Sequence, residues 1–344
     1  TEGFYALKET DRGGVDRTLS SEHQTARLAW SGRASETVRA TVTGRFFREE
    51  RGNGTALQKN ATRSGFVSMA IEGEPAPGLA WTATGYAQRQ RFEAFFSSVS
   101  AGRKAEPAAN DQSEVPAPVA GGTASATWSA DERAVTTIGG DVRWVEGETR
   151  EDFLFQAGEF ARRRFAGGEQ WFAGVFAHHE RAVTERLRAS VDVRVDRWEN
   201  HDGHRREIAK ADGASLADER FAQEGGTEFS PRAGLVWTVD EAWRVRGAVY
   251  RAFRVPTLNE YYRPFRVGNV NTLANAGLKR ETLTGGEAGV VFARGAWRLE
   301  ATGFWNELED AVGNVTLNPT PALPTRQRQN LDGVRIRGAE VAVT

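Results

Sequence analysis

Several stretches of this chain alternate strictly between apolar and polar residues. The clearest is 187–196, where leucine, alanine and three valines fall on one side and arginine, serine and aspartate on the other. The same alternation returns in 243–250 and in 297–305. Because successive side chains of a β-strand point to opposite faces, each stretch predicts a strand with one apolar and one polar face. Repeated with hairpin connections, this pattern is typical of a transmembrane β-barrel wall.

Alternation and turn residues together predict fourteen strands, joined by connections that are alternately short and long. The strands lie at 3–11, 22–31, 36–50, 62–73, 79–98, 121–130, 134–150, 169–181, 185–199, 228–238, 242–254, 283–293, 296–308 and 330–344. Short connections are expected near 31–35, 74–78, 131–133, 183–184, 239–241 and 294–295, and long ones near 11–21, 51–61, 99–120, 151–168, 200–227, 255–282 and 309–329. Outer-membrane barrels have short periplasmic turns and long extracellular loops. The predicted fold class is therefore all-β, an antiparallel transmembrane β-barrel wall. The best helical candidate, 151–165, falls within a predicted loop.

Six of the ten tryptophans lie within a few residues of a predicted short turn. Each matches the parity of the apolar face of its strand: Trp30, Trp81, Trp128, Trp237, Trp243 and Trp297. Indole favours the membrane–water interface, where its ring is in an apolar layer and its N–H finds a partner. The six residues predict an aromatic girdle at the periplasmic side.

Composition narrows the function classes. The 344 residues include 45 basic and 46 acidic side chains, a net charge of −1, without a basic stripe. Nucleic-acid binding therefore has no electrostatic support. There is no cysteine, which excludes disulfides and thiolate chemistry. No apolar run reaches the roughly 20 residues of a transmembrane helix, and no shift in composition divides 1–344 into domains.

Candidate chemistry is sparse. The histidines of 201–204 could offer two imidazoles to a metal, but the spacing is generic and the stretch is polar, so a solvated loop is preferred. His178 and His179 are adjacent on a predicted strand and point to opposite faces, which prevents joint chelation. No nucleophile elbow, phosphate loop or zinc-hydrolase pattern is present. We expect no metal, no cofactor and no enzymatic activity.

The most specific local signal lies in 251–289. A strand ends at Arg254, Pro256 stops its ladder because proline has no N–H, and Thr257, Leu258 and the residues after them open a long loop. The sequence Asn-Ala-Gly-Leu-Lys-Arg-Glu-Thr of 275–282 then returns the chain to the wall. This region resembles the barrel of TonB-dependent outer-membrane receptors. Further segments that resemble successive wall strands of that family are 140–147, 167–170, 173–177, 194–198, 330–333 and 338–340.

The resemblance implies a wall of 22 strands closed around an N-terminal plug, so fourteen strands would leave about eight missing. The chain begins at Thr1 without an initiator methionine, and we expect an incomplete barrel that lacks the plug and C-terminal strands. Ala276 and Arg280 occupy positions where the family usually has proline, which predicts a less rigid loop.

The resemblance also implies a function and its partners. It implies active import, in the bacterial outer membrane, of a bulky nutrient such as a ferric siderophore or cobalamin. The partners would be outer-membrane lipid, lipopolysaccharide and, through the missing N-terminal region, the TonB complex. A passive porin-like channel and a soluble all-β binding protein are the alternatives.

Two sets of residues are candidates for the site. Tyr261, Tyr262, Arg263 and Arg266 are predicted ligand contacts, because aromatic rings and guanidinium groups suit an anionic, ring-bearing chelate. The alternative for the two tyrosines is an outer aromatic girdle. Arg188, Asp192, Arg194 and Asp196 are predicted to face the lumen or the plug.

Overall fold

The fold is described by a computed structural model that covers residues 3–267, 270–319 and 324–344. Parts of the predicted long connections 255–282 and 309–329, namely 268–269 and 320–323, lie outside the described residues, as do 1–2. Nearly all of the described chain is β-strand. The elements are β1 (Ser20–Arg33), β2 (Val38–Gly52), β3 (Lys59–Ala76), β4 (Leu79–Ser97), β5 (Ala108–Asp131), β6 (Ala134–Gln156), β7 (Glu159–Ala182), β8 (Leu187–Ala209), β9 (Ser215–Arg220), β10 (Glu224–Phe229), β11 (Arg232–Thr238), β12 (Trp243–Arg254), α1 (Leu258–Tyr262), β13 (Phe265–Val267), β14 (Val270–Leu273), β15 (Glu281–Arg294), β16 (Trp297–Asn318) and β17 (Thr325–Val343).

The strands form one meandering sheet. Each strand from β1 to β8 pairs antiparallel with the next, β10 and β11 both pair with β8, and the order continues through β12, β15, β16 and β17. Among the described residues, the pairing of β14 with β17 is the parallel exception. β1 and β17 do not pair with each other within these ranges, so the sheet is an open arc. The predicted fold class, an incomplete antiparallel barrel wall, is confirmed.

Thirteen of the fourteen predicted strands are present. The exception is 3–11, where the prediction is wrong: these residues contain a single 3-10 turn at Glu9–Asp11 and make no ladder with a neighbouring strand. β10 and β11 together form one predicted strand, 228–238, interrupted at Pro231, which has no N–H to donate to a ladder. All six short connections join the same end of the arc. In the part of the chain described here, no helix is long and apolar enough to cross a bilayer.

Four of the predicted long loops are largely strand among the described residues, which corrects the sequence interpretation: 99–120, 151–168, 200–227 and 309–329. β5 already begins at Ala108, within predicted loop 99–120, and β8 runs on to Ala209. The helical candidate 151–165 is instead the tip of a continuous β6–β7 hairpin. Its two-residue turn, Ala157 and Gly158, has positive φ at both positions, 49° and 89°. That backbone matches the twist of a hairpin, and glycine adopts it without strain.

The wall has two chemically different faces. On β8, the valines at 191, 193 and 195 are exposed, whereas Asp192, Arg194 and Asp196 are half-buried or buried. We call the face of these charged residues the inner face and the opposite one the outer face. The six tryptophans predicted as a girdle lie on the outer face at the short-turn end, five of them exposed and Trp81 half-buried.

A second pair of outer-face indoles lies farther up the wall. Trp144 of β6 and Trp171 of β7 are direct partners, with ring centroids 6.4 Å apart. Trp171 is about a dozen residues from the short β7–β8 turn, close to the 9–11 residues of a membrane-spanning β-strand. β6, β7 and β8 have 23, 24 and 23 residues, so their upper halves extend beyond this level.

The segment before β1 is attached to the same upper end. Arg103 donates to both carboxylate oxygens of Asp16 at 2.6 to 3.0 Å, and the Gly13 backbone N–H donates to Asp16 at 2.7 Å. The Arg103 hydrogen bond is the main reason that the pKa of Asp16 is lowered to about 2. The carboxylate therefore stays charged at neutral and at mildly acidic pH.

We predict that Asp16→Asn frees residues 3–19 from the wall. Amide hydrogen exchange of this segment should then be faster than in the parent protein at neutral pH. Asp11→Asn is the matched control, because among the described residues the Asp11 carboxylate accepts from the neighbouring Thr10 hydroxyl alone. In the parent protein the tether is fully present above the ordinary pKa of aspartate, 3.8, and is lost as the pH falls through about 2. Equal exchange in Asp16→Asn and the parent protein would contradict this role.

Candidate functional site

Charged residues of β8 form ion pairs along the inner face. This set contains all four residues predicted to face the lumen, and the pairs are Arg188–Glu180 at 2.7 Å, His178–Asp192 at 2.7 Å, Arg194–Asp141 at 2.6 Å and Arg194–Asp196 at 2.5 Å. The pairs join β6, β7 and β8, where opposite charges on facing strands support the register. Whether this row meets water or another part of a receptor stays a prediction.

The chain leaves the wall at the end of β12 and forms a capped helical turn. Pro256 follows the last ladder residues, and Thr257 is the N-cap of α1. The Thr257 hydroxyl accepts from the Glu260 N–H, while the Glu260 carboxylate accepts from the Thr257 N–H at 2.7 Å, a complete capping box. Arg254 pairs with Glu260 at 2.8 Å and also with Glu281, where the chain re-enters the wall. Both ends of the loop are thereby joined at one point.

α1 packs against the inner face of β7 and β8. Tyr261 is fully buried and Tyr262 is 3% exposed, in a core with Trp198, Val255 and Leu278. Burial raises the pKa of Tyr262 to about 12 and that of Tyr261 further, so both hydroxyls are neutral at physiological pH. The structure therefore places the two tyrosines, predicted as ligand contacts, in a packed core. Neither ring lies on the outer face.

Two glycines of the wall make room for Tyr262. A Cβ at Gly203 would lie 2.5 Å from the Tyr262 Cζ atom, and a Cβ at Gly168 would lie 3.2 Å from its Cε2 atom. The other side of the Tyr262 ring stacks on Phe221, with centroids 5.0 Å apart. The seat for this ring is thus formed by backbone on one side and an aromatic ring on the other.

A buried carboxylate anchors the end of α1. Glu151 of β6 has no exposed side-chain surface and pairs at 2.6 Å with both Arg164 and Arg263, while Asn110 donates to it at 2.8 Å. Arg164 pairs in addition with Glu207. A buried charge is tolerated when it is paired and hydrogen-bonded on all sides. Arg263, a predicted ligand contact, is therefore occupied by Glu151 and is only 14% exposed.

Arg328 of β17 fixes the same segment from the opposite side. Its guanidinium donates to the backbone oxygens of Asn259 at 2.7 Å and Arg263 at 2.9 Å, and it covers the Phe265 ring at 4.9 Å. Arg266, the fourth predicted contact, lies on β13 beyond this anchor and is exposed. Of the four predicted residues, it is the one whose side chain remains accessible.

Ala276 and Arg280, which stand where the family usually has proline, also make contacts with the rest of the protein. Ala276 packs at the edge of the core around Tyr261. Arg280 forms an ion pair with Glu228 of β10, whose side chain is 5% exposed. Glu228 lies opposite Asp196 in the β8–β10 ladder, so Arg280 joins the loop to the inner charged row. The predicted loss of rigidity is offset by these contacts.

The histidines do not come together as a metal site. His201 contacts Glu199 at 3.1 Å, and His204 contacts Glu148 at 2.9 Å. His178 and His179 bond to Asp192 and Thr136 on opposite faces. Within residues 3–267, 270–319 and 324–344, no three histidine or acidic side chains are grouped so that they could hold a metal ion.

Sequence reasoning missed the anchors. Glu151 and Arg164 fall in the segment interpreted as loop or helix, and Arg328 falls in predicted loop 309–329. Glu151 contacts Arg263 and Arg328 contacts Asn259, each from more than 60 residues away, while Arg164 supports Glu151 as its ladder partner. No local spacing carries such information. The one available signal was the run of arginines at 162–164 opposite the acids at 151–152.

The chain matches the family described as "TonB dependent receptor-like, beta-barrel" over residues 5–344. A curated relative, the iron-regulated outer membrane virulence protein of Vibrio cholerae, is 28% identical over 214 residues, which are 58% of this chain and 28% of the relative. This chain thus spans about a quarter of the length of that relative.

Solved structures agree in fold. The copper transporter OprC superposes with a TM-score of 0.77 at 15% identity, over 100% of this chain and 52% of that one. The ferric yersiniabactin uptake receptor FyuA of Yersinia pestis superposes with a TM-score of 0.70 at 10% identity, over 94% and 49%. This chain spans about half the length of these structures.

We predict that Glu151→Gln destabilises the protein by about 3–5 kcal/mol, because it removes the carboxylate from Arg263 and leaves the buried Arg164 paired with Glu207 alone. The measurement is the free energy of unfolding in urea, in detergent micelles. Glu300→Gln is the control, since its pair with Arg298 is exposed and should contribute less than about 1 kcal/mol. Similar losses in the two variants would rule out Glu151 as an anchor.

We also predict that Gly203→Ala costs about 1–3 kcal/mol, because the added methyl group overlaps the Tyr262 ring. Gly303→Ala serves as the matched control: a Cβ there meets nothing within 4 Å. Urea unfolding should separate the two variants, and Tyr262→Ala should relieve most of the extra cost of Gly203→Ala. If that double variant shows no relief, the ring is not the source of the strain.

Proposed function

This chain belongs to the TonB-dependent receptor β-barrel family, and on that premise we propose that it forms the wall of a receptor that imports an iron chelate. Members of this family are outer-membrane transporters and not enzymes, and the outer membrane is the location of this chain. We prefer this proposal to the two alternatives, a soluble all-β binding protein and a passive porin-like channel. The proposed partners are the nutrient chelate, the TonB complex that energises uptake, outer-membrane lipid and lipopolysaccharide.

One observation carries the proposal. The segment after β12 does not extend away from the wall but folds back over the inner face, where Tyr261 is fully buried. Its anchors come from both sides of the arc, Glu151 on β6 and Arg328 on β17. A rigid segment held across the inner face can present a fixed set of donors to a ligand at little cost in conformational entropy.

Arg266 is the proposed ligand contact on this segment. Its side chain is exposed, whereas that of Arg263 is only 14% exposed and the two tyrosines are buried in the core. A guanidinium group can pair with the carboxylate or phenolate oxygens of an anionic chelate through two parallel hydrogen bonds. In this proposal Tyr261, Tyr262 and Arg263 position Arg266, and the charged row of β8 faces the lumen. The name of the Vibrio cholerae relative supports iron as the cargo.

We predict that Arg266→Gln raises the chelate concentration for half-maximal uptake by roughly tenfold, the value of one hydrogen bond to a charged group. The measurement is the uptake of radiolabelled ferric siderophores by iron-limited cells. The control is Arg294→Gln at the end of β15, beside a short turn. Uptake by the parent protein should stop when the proton-motive force is dissipated. Uptake that survives this treatment would instead identify a passive channel, and no uptake of any iron chelate would refute the cargo.

A further inference from the structure

The outer face carries an unusual row of arginines on three neighbouring strands. Arg48 of β2, Arg63 of β3 and Arg91 of β4 are direct partners in the two ladders, Arg48↔Arg63 and Arg63↔Arg91. Arg89 lies two residues from Arg91 on the same face of β4. Like charges placed directly opposite each other on a sheet are destabilising. An anion bound between these arginines would reduce the repulsion.

The anion is not fully supplied by the protein. Arg48 pairs with Glu50 at 2.5 Å, and Arg91 pairs with Glu93 at 3.0 Å and Glu114 at 3.5 Å. Arg63 and Arg89 are both exposed, and neither forms an ion pair among the described residues, although Glu50 lies close enough to Arg63 to interact with it electrostatically. Arg63 and Arg89 are therefore the members of the row that the protein neutralises least.

The height of the row on the wall places it at a membrane boundary. Trp81, a girdle residue at the short-turn end, and Arg91 are ten residues apart on β4, and their partners Gly73 and Arg63 are ten residues apart on β3. A membrane-spanning β-strand needs about 9–11 residues. The outer-face residues of β3 between these levels are apolar or glycine: Gly65, Val67, Met69 and Ile71.

An apolar groove of about 660 Å³ lies directly below the arginines. Its floor is made of small residues on three strands, Gly44, Gly65 and Ala87, which are bordered by Leu28, Phe46 and Val67. Phe46 and Val67 are about half exposed, so the groove opens to the outside of the wall. Arg89 lines its upper end. An apolar channel with a guanidinium at its top has the shape and polarity of a lipid site.

We propose that this outer face binds a phosphorylated lipid of the outer leaflet, with an acyl chain in the groove and a phosphate between Arg63 and Arg89. Guanidinium groups suit this role because they hold phosphate oxygens through paired hydrogen bonds. This inference specifies the lipid partner proposed above. It rests on the outer-membrane location of the chain and is independent of the imported cargo, which is recognised on the opposite face.

The test is a binding titration of the purified protein in neutral detergent, with bound lipid counted by native mass spectrometry. The probes are lipid A with both phosphates, the same lipid without phosphates, and its de-acylated bisphosphate headgroup. Each arginine near an anionic lipid contributes about fivefold, so Arg63→Gln with Arg89→Gln should weaken binding of the bisphosphate lipid roughly 30-fold. The phosphate-free lipid should bind weakly and equally to both proteins.

The matched control removes the same charge elsewhere. Arg133→Gln with Arg294→Gln alters two exposed arginines at the short-turn end of the wall, one in the β5–β6 turn and one at the end of β15, and this variant should bind the lipid as the parent protein does. If the glutamine pair fails to fold, comparing the three probes on the parent protein still decides the matter. Equal binding of lipids with and without phosphate would overturn the proposal. So would binding of the de-acylated headgroup as tight as that of the whole lipid, because it would indicate a site for soluble anions.

Discussion

The pairing of the backbone is the constraint on which the rest of this structure depends. In hydrocarbon an unpaired N–H or C=O costs several kcal/mol, so a β-protein can cross a membrane only as a continuous ladder. The antiparallel ladders from β1 to β8 and through β11, β12, β15, β16 and β17 meet most of this requirement: among the described residues they are interrupted by a few register shifts and end at the two edges of the arc. Because the register is fixed, the parity of each residue decides whether it meets lipid or the interior.

The two faces of the wall use arginine in different ways. On the inner face, arginines are neutralised by acids of the same or a neighbouring strand, as in the Asp141–Arg194–Asp196 row, and the loop residue Arg263 is neutralised by Glu151 of β6. On the outer face of β2–β4, arginines oppose each other, and in the described part of the chain the central one, Arg63, forms no ion pair. The ion pairs of the inner face join parts of the protein to each other. The arginines of the outer face can interact with an anion outside the protein.

In the upper half of the wall, β6 and β7 are strands although their sequence is polar on both faces. Beyond the level of Trp144 and Trp171, β6 and β7 continue as a hairpin, 145–170, that carries ten charged residues. Water is available there, so neither face needs to be apolar and the hydrophobic alternation disappears. This hairpin carries Glu151 and thus provides the anchor for α1. The extension of the wall and the position of the candidate site therefore have one structural origin.

The sequence by itself determined the fold class, thirteen wall strands, the side of the short turns and the outer-face tryptophans, because alternation records which face of a strand meets an apolar environment. It also located the segment that contains the site, through Pro256 and the residues after it. It did not reveal that Tyr261 and Tyr262 are buried, that Arg263 is held by Glu151, or that 151–165 is a hairpin. Those outcomes depend on contacts between residues far apart in the chain, such as Gly203 with Tyr262 and Arg328 with Asn259. Only the register of the assembled wall brings such pairs within reach, and no local pattern encodes a register between distant strands.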